Sequence, residues 1–341
     1  MTTYVFGAGA SAHVGYPLTA TLGGDLLARM KADDGTNPRF PEIAAIVENE
    51  FGTVEDFEQM LTKTVALHTE CDLGPQMCGK CVVLNDIKFY LTRALIEFFA
   101  QIRNNAAEAY ERFSSEIIKP GDCVITFNYD VSLDYQLRRA NKWNISDGYG
   151  FSFPSNEGHS PIKLLKLHGS SNWYAKFHGA VSGYGEAGSG ANYLCRPVIT
   201  PNDMDFLGYA MHDPLFENGA GCPSLIVLPV PSKNFYLEFA GIRNMEMSKF
   251  FESLWSQAQK ELDKSEEVVI CGYSMPDADV DASRLILQSV NRNAHVRVVC
   301  GGSSERVVQR FIENSFHLVQ KIAHRRFEEW VDCEYASPCA C

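Results

Sequence analysis

The chain has no long apolar run, no Gly-Lys-Ser/Thr triplet, no excess of positive charge and no repeating unit. Each absence removes a class of protein. Without roughly eighteen consecutive apolar residues, no segment reads as a membrane-spanning helix. Without Gly-Lys-Ser/Thr there is no P-loop, whose lysine and hydroxyl hold phosphate and magnesium. Among 341 residues, 30 Lys and Arg stand against 42 Asp and Glu, a formal net charge of −12. Domains that grip nucleic acid carry a basic face, so direct nucleic-acid binding is not expected. No period of roughly 20 to 50 residues is visible, which excludes a solenoid. Met1-Thr2-Thr3 leads straight into Tyr4-Val5-Phe6 without a charged leader or cleavable apolar segment, so the expectation is a soluble, cytoplasmic protein. Its 11 cysteines are spread over a chain too long to need disulfides, and are expected as reduced thiols. Cys123, Cys271 and Cys300 lie in apolar, strand-like runs and are expected in the core.

What is present is an alternation of apolar runs and helical periodicity. Leu18 to Met30 reads as a helix with Leu22, Leu26, Leu27 and Met30 on one face. The helical pattern continues over Pro41 to Glu50, Val54 to Leu67, Val82 to Arg103 and Ala106 to Ile118. Then Val124 to Thr126 reads as a strand, Asp130 to Ala140 as a helix and Ile162 to Leu167 as a strand, followed by a Gly/Ser/Tyr-rich loop from Gly179 to Asn192. Ser224 to Val230, Val268 to Cys271 and Val296 to Cys300 read as buried strands. Asn244 to Asp263, Asp279 to Asn291 and Ser304 to Asn314 read as helices, and Cys333 to Cys341 as a loose tail. Strand-helix repetition predicts an α/β fold: a doubly wound, mostly parallel, Rossmann-like sheet with helices on both faces. The expected division is a Rossmann-like unit of residues 1–31 and 119–341, with 32–118 inserted as a helical module.

In such sheets, ligands bind beyond the carboxyl ends of the strands, so polar residues just after strand runs mark the candidate site. The first is Gly7-Ala8-Gly9-Ala10-Ser11, where glycines without Cβ let a diphosphate approach the backbone. As a dehydrogenase fingerprint it fits loosely, with Ala12 in the third glycine position. The second strand and acidic residue required about 20 positions on are replaced by the Leu18 to Met30 helix. The others are Thr126-Phe127-Asn128-Tyr129-Asp130, His168-Gly169-Ser170 and Gly272-Tyr273-Ser274. Taken singly, Asn128 and Asp130 could cap a helix, His168 could sit in a turn, and Gly272-Tyr273-Ser274 could be an ordinary strand-to-helix turn.

As an ordered set they resemble the sirtuin (silent information regulator) superfamily, specifically the sirtuin-like domains of bacterial antiphage defence proteins. Gly15-Tyr16-Pro17, Val54-Glu55-Asp56, Leu228-Pro229-Val230-Pro231-Ser232-Lys233, and Met275-Pro276 with Asp279 extend the match. The resemblance implies an NAD site. Gly7, Ala8, Gly9 and Ser11 would cradle the diphosphate, and Gly272 and Ser274 would lie against the adenosine ribose. Asn128 would fix the nicotinamide ribose and a water, Asp130 would hold the nicotinamide amide, and His168 would be the general base. Pro17 and Thr126, within the matching segments, join the expected NAD-binding set.

Lysine-deacylating sirtuins carry two Cys-x-x-Cys pairs after the histidine and a Phe-Arg after Gly-x-Pro. Here only Cys195 and Cys222 follow in that region, and Gly15-Tyr16-Pro17 runs into Leu18-Thr19-Ala20. The implied reaction is therefore NAD hydrolysis or cyclisation, with NAD as substrate. An NAD- or ADP-ribose-binding module without turnover, and a protein deacylase or ADP-ribosyl transferase, remain alternatives. The family context implies control by a homo-oligomer or by a separate sensor or ATPase partner. His68, Cys71, Cys78 and Cys81 have a spacing that could wrap a structural zinc, with Cys333, Cys339 and Cys341 as further donors. His68 equally fits a helix end, so zinc is left open.

Overall fold

The computed structural model describes residues 1–33, 37–52, 60, 63, 79–102, 107–144, 149–150, 160–178, 194–199, 224–226, 238–239, 242–243, 245–277, 279–322 and 325–336. Its strands are β1 (Thr2–Phe6), β2 (Cys123–Thr126), β3 (Lys163–Lys166), β4 (Gly169–His178), β5 (Leu194–Ile199), β6 (Ser224–Ile226), β7 (Glu238–Phe239), β8 (Ile242–Arg243), β9 (Glu267–Cys271), β10 (His295–Val299) and β11 (Val319–Lys321).

Six of these form one sheet in the order β11-β10-β9-β1-β2-β3, every pairing parallel. Helices cover both faces. Parallel strands are buried on both sides, which is why Tyr4-Val5-Phe6, Val124-Ile125 and Val268-Val269-Ile270 are continuous apolar runs rather than alternating ones. Numbered by appearance, the six strands run 3-2-1-4-5-6, the Rossmann order. The direction of winding reverses between β1 and β9, which pair through Phe6 and Cys271 at their carboxyl ends.

The helix Thr19–Lys31 buries Leu22, Leu26, Leu27 and Met30, as its periodicity predicts. Between it and β2 the described elements are all helical: Arg39–Phe51, Gly79–Gln101, Glu108–Arg112 and the π-helical turn Phe113–Ile117. Except for Met60 and Lys63, the Val54 to Leu67 prediction lies outside the described residues, as does the Gly179 to Asn192 loop. His68, Cys71 and Cys78 lie outside as well, and Cys81 is described only as backbone of Gly79–Gln101, so the zinc question is not addressed.

Three expectations need correction. Ser224 to Val230 was expected in the parallel sheet, but Ser224–Ile226 pairs antiparallel with β4 in a separate sheet of order β5-β4-β6. A short apolar run does not encode the direction of its partner. The helix after β2 spans Ser132–Arg139 rather than starting at Asp130, because the Asp130 carboxylate accepts the Ser132 N–H just ahead of it. The carboxyl-terminal segment is not loose throughout: Phe327–Ala336 is a helix that includes Cys333. Phe327 packs on Phe6, Tyr110 and Phe113 at ring-centroid distances of 5.4, 5.1 and 5.9 Å, and Trp330 lies 6.5 Å from Tyr4. Such pairs contribute about 0.5–1.5 kcal/mol each beyond area burial, enough to seat one helix under the sheet. No helix among the described residues is long and apolar enough to cross a membrane.

Candidate functional site

Where β1 and β9 end, their turns touch backbone to backbone. Gly7 N donates to Cys271 O and Gly9 N to Gly272 O, each at 3.0 Å. A Cβ on Gly7 would stand 2.6 Å from Tyr273 Cα, and one on Gly272 would stand 2.1 Å from Ala10 N. Gly272 also has φ +62, where side chains are strained. These glycines are therefore required for turn-to-turn contact before any ligand is considered. Two amides of the predicted phosphate cradle, Gly7 N and Gly9 N, are thus already spent inside the protein, and Ala10 N in the same turn is bonded to Gly7 O.

The turns open into a cleft of about 1020 Å³ at the switch point. That is the upper end of the range for small-molecule sites and suits an extended ligand. Gly7, Ala8, Gly9, Ser11, Pro17, Asn128, Asp130, His168, Gly272 and Ser274 all line it. Thr126 does not: it is buried behind the wall, where its Oγ1 accepts the Asn128 N–H at 3.0 Å. Its place is beneath Asn128 rather than against a ligand.

On the β1–β2 side, Ser11 is the hub. Its hydroxyl donates to Asp130 Oδ2 at 2.7 Å, and its oxygen lies 2.8 Å from Tyr110 Oη and 3.0 Å from Asn128 Nδ2. A hydroxyl has one hydrogen, and the carboxylate takes it, so Tyr110 is the donor to Ser11. Asn128 Nδ2 donates its other hydrogen to Gly7 O at 3.0 Å. Gly7 O only accepts, which fixes the amide with nitrogen inward and leaves Oδ1, unbonded among the described residues, as the acceptor on the cleft side. Burial and the Asp130 charge hold the Tyr110 phenol well above its usual range, so it stays a neutral donor.

Asp130 is itself buried and held from three directions. Its Oδ1 accepts Ser132 N at 3.0 Å, and its backbone carbonyl accepts Lys166 Nζ. Lys166, wholly buried at the end of β3, also faces Asp134 at 3.2 Å. Burial pushes the Asp134 carboxyl up, and the lysine charge opposes that. The pair ties the end of β3 to the helix Ser132–Arg139.

Beyond the ends of β3 and β9, which flank β1 and β2 in the sheet, His168 is 2 % exposed and Asp279 is 1 % exposed. His168 Nε2 stands 3.4 Å from Asp279 Oδ2, and Tyr273 Oη donates to the same oxygen at 2.9 Å. Phe127, Tyr129 and Trp255 surround the imidazole at 5.0, 6.3 and 6.4 Å between centroids. Cys300 also lines the cleft, but burial pushes its thiol up to about 12, so it is no nucleophile at neutral pH. Cys123 and Cys271 are buried, as expected, with thiols raised for the same reason.

The sequence reading missed Tyr110 and the roles of Tyr273 and Asp279. Tyr110 sits in an apolar helical pattern 99 residues from Ser11, so nothing local marks it. Asp279 was legible only as part of the family match and as the start of the helix to Asn291, without a role of its own. The strand order and the cleft at its reversal define a Rossmann-like α/β protein with a ligand-sized site at the switch point. No family model matches the chain, and no curated protein does. A solved structure described as "Structural Basis for the Mechanism and Regulation of Sir2 Enzymes" is similar over 97% of this chain and 89% of its own, at 13% identity and a TM-score of 0.37. That likeness is too distant to bear on function, and the fold assignment rests on the strands themselves.

Proposed function

We propose that this chain is a sirtuin-like, NAD-consuming enzyme that cleaves the nicotinamide N-glycosidic bond, giving nicotinamide and ADP-ribose or its cyclic form. The observation that carries the reading is the fixed amide of Asn128, whose free acceptor shares a switch-point cleft with a buried histidine on the neighbouring strand's end. Bond cleavage builds an oxocarbenium-like cation at the ribose. Asn128 Oδ1 can orient a sugar hydroxyl or water without adding charge. His168 is a residue type able to take the proton of the attacking hydroxyl near neutral pH, typically a contribution of about 10²- to 10⁴-fold. Asp130 keeps lone pairs beyond its two hydrogen bonds with which to accept an amide N–H. Holding these groups on adjacent strand ends supplies the near-attack geometry.

The resemblance extends the proposal to an effector that depletes NAD in antiphage defence, under the control of self-assembly or of a separate sensor or ATPase partner. The test is chromatographic: purified protein is incubated with NAD, and nicotinamide is followed without any acceptor protein. Release supports the glycohydrolase. Binding without release selects a non-catalytic NAD- or ADP-ribose-binding module, and release only with a protein acceptor selects a deacylase or transferase.

A further inference from the structure

His168 has two ring nitrogens, and the surroundings of one determine what the other does. Nε2 is the nitrogen that stands 3.4 Å from Asp279 Oδ2. A carboxylate has no hydrogen to give, so a ring nitrogen facing it carries the proton. Such contacts are commonly long in unliganded sites and tighten when substrate binds. Asp279 is itself held in place: its N–H donates to Pro276 O at 3.1 Å, and its carbonyl accepts Ser283 N at 3.1 Å at the start of the helix Val280–Ser289. Tyr273 Oη donates to the same Oδ2, and the Tyr273 ring stacks on Phe127 at 4.5 Å and 26°.

We propose that Asp279 is a positioning residue that fixes His168 as the tautomer protonated at Nε2, so that the ring takes up its second proton at Nδ1. Tyr273 orients the carboxylate for this task. The proposal rests on the glycohydrolase reading for its consequence in turnover. As an attacking water forms its C–O bond to the ribose, its O–H bond breaks and that proton passes to the imidazole. Nicotinamide leaves neutral with the glycosidic electron pair. The imidazolium charge lies against Asp279 until the proton is returned to solvent.

The test uses full-length protein labelled with ¹⁵N in the histidine rings, with His168→Gln assigning the His168 signals. Wild type is expected to show His168 protonated at Nε2 above its titration, and Asp279→Asn to shift the ring toward the Nδ1-protonated form. Wrong tautomers cost on the order of 10⁴-fold in an analogous Asp–His arrangement, so kcat for nicotinamide release is expected to fall about 10²- to 10⁴-fold. KM should stay within about threefold, and Asp279→Glu should recover at least tenfold of the lost kcat. An Nδ1-protonated wild-type ring overturns the proposal, as does an Asp279→Asn protein with wild-type tautomer and kcat. The wild-type spectrum decides the point even if a variant fails to fold. A wild type that never cleaves NAD removes the glycohydrolase reading, while the tautomer still tests the pairing.

Discussion

The two walls of the cleft are built on opposite plans. Along β1 and β2, Ser11, Tyr110, Asn128 and Asp130 form a network joined by hydrogen bonds of 2.7 to 3.0 Å. It consists of neutral donors converging on one carboxylate. Along β3 and β9, His168 and Asp279 face each other at 3.4 Å within aromatic walls. The first plan spends its polar groups on one another and so fixes geometry; the second keeps a titratable ring beside a charge. The two clusters meet where the β1 and β9 turns touch and where Phe127, from the β2 end, lies against both His168 and Tyr273.

The largest effect should come from breaking that junction. Gly272→Ala drives a Cβ into Ala10 N at positive φ, and should cost about 2–5 kcal/mol in urea unfolding together with the loss of NAD binding. Gly302→Ala, in the same cleft but with nothing within 4 Å of the new carbon, should stay within about 0.5 kcal/mol. Next is the saturated wall. Ser11→Ala strands partners on Tyr110, Asn128 and Asp130, and should cost about 2–3 kcal/mol with roughly a tenfold fall in kcat as Asn128 loses its orientation. Tyr110→Phe removes a single donor, so about 1 kcal/mol and a few-fold change in kcat are expected, with KM unmoved.

The smallest effect concerns His13, which abuts the network through Tyr110 at 4.8 Å. Burial lowers its pKa, opposed by the Ala10 carbonyl and by the charges of Glu328 and Asp130. The unfolded chain therefore binds the proton first as pH falls below the ordinary histidine value of about 6.5. Stability is lost from there down to the folded pKa, at no more than about 1.4 kcal/mol per pH unit. His13→Gln should flatten the acid side of a plot of melting temperature against pH. Glu97 and Asp134, whose raised pKa values act in the opposite sense, are present in both proteins and cancel in the difference.

Much of this arrangement was legible in the residues. The runs ending at Phe6, Thr126, Leu167 and Cys271 read as buried strands because parallel strands need apolar side chains on both faces, and the polar residues after them marked the cleft. Two kinds of feature were hidden. Val319-Gln320-Lys321 is a three-residue edge strand of mixed polarity, and Gly169–His178 opens on Gly-Ser-Ser-Asn, so neither carries a strand pattern. The hydroxyl of Tyr110 and the carboxylate of Asp279 act across 99 and 111 residues of chain. Only tertiary packing decides which polar atoms meet at such distances. The glycines taught a further lesson: their pattern suggested phosphate, whereas their first duty is the contact between two turns.

The most direct test of the central claim compares wild type with Asn128→Ala and His168→Ala, measuring NAD binding by calorimetry and nicotinamide release by chromatography. The two-walled site predicts release by wild type and a loss of at least about 10²-fold in each variant, with NAD still bound by both. Undiminished release by either variant would contradict it.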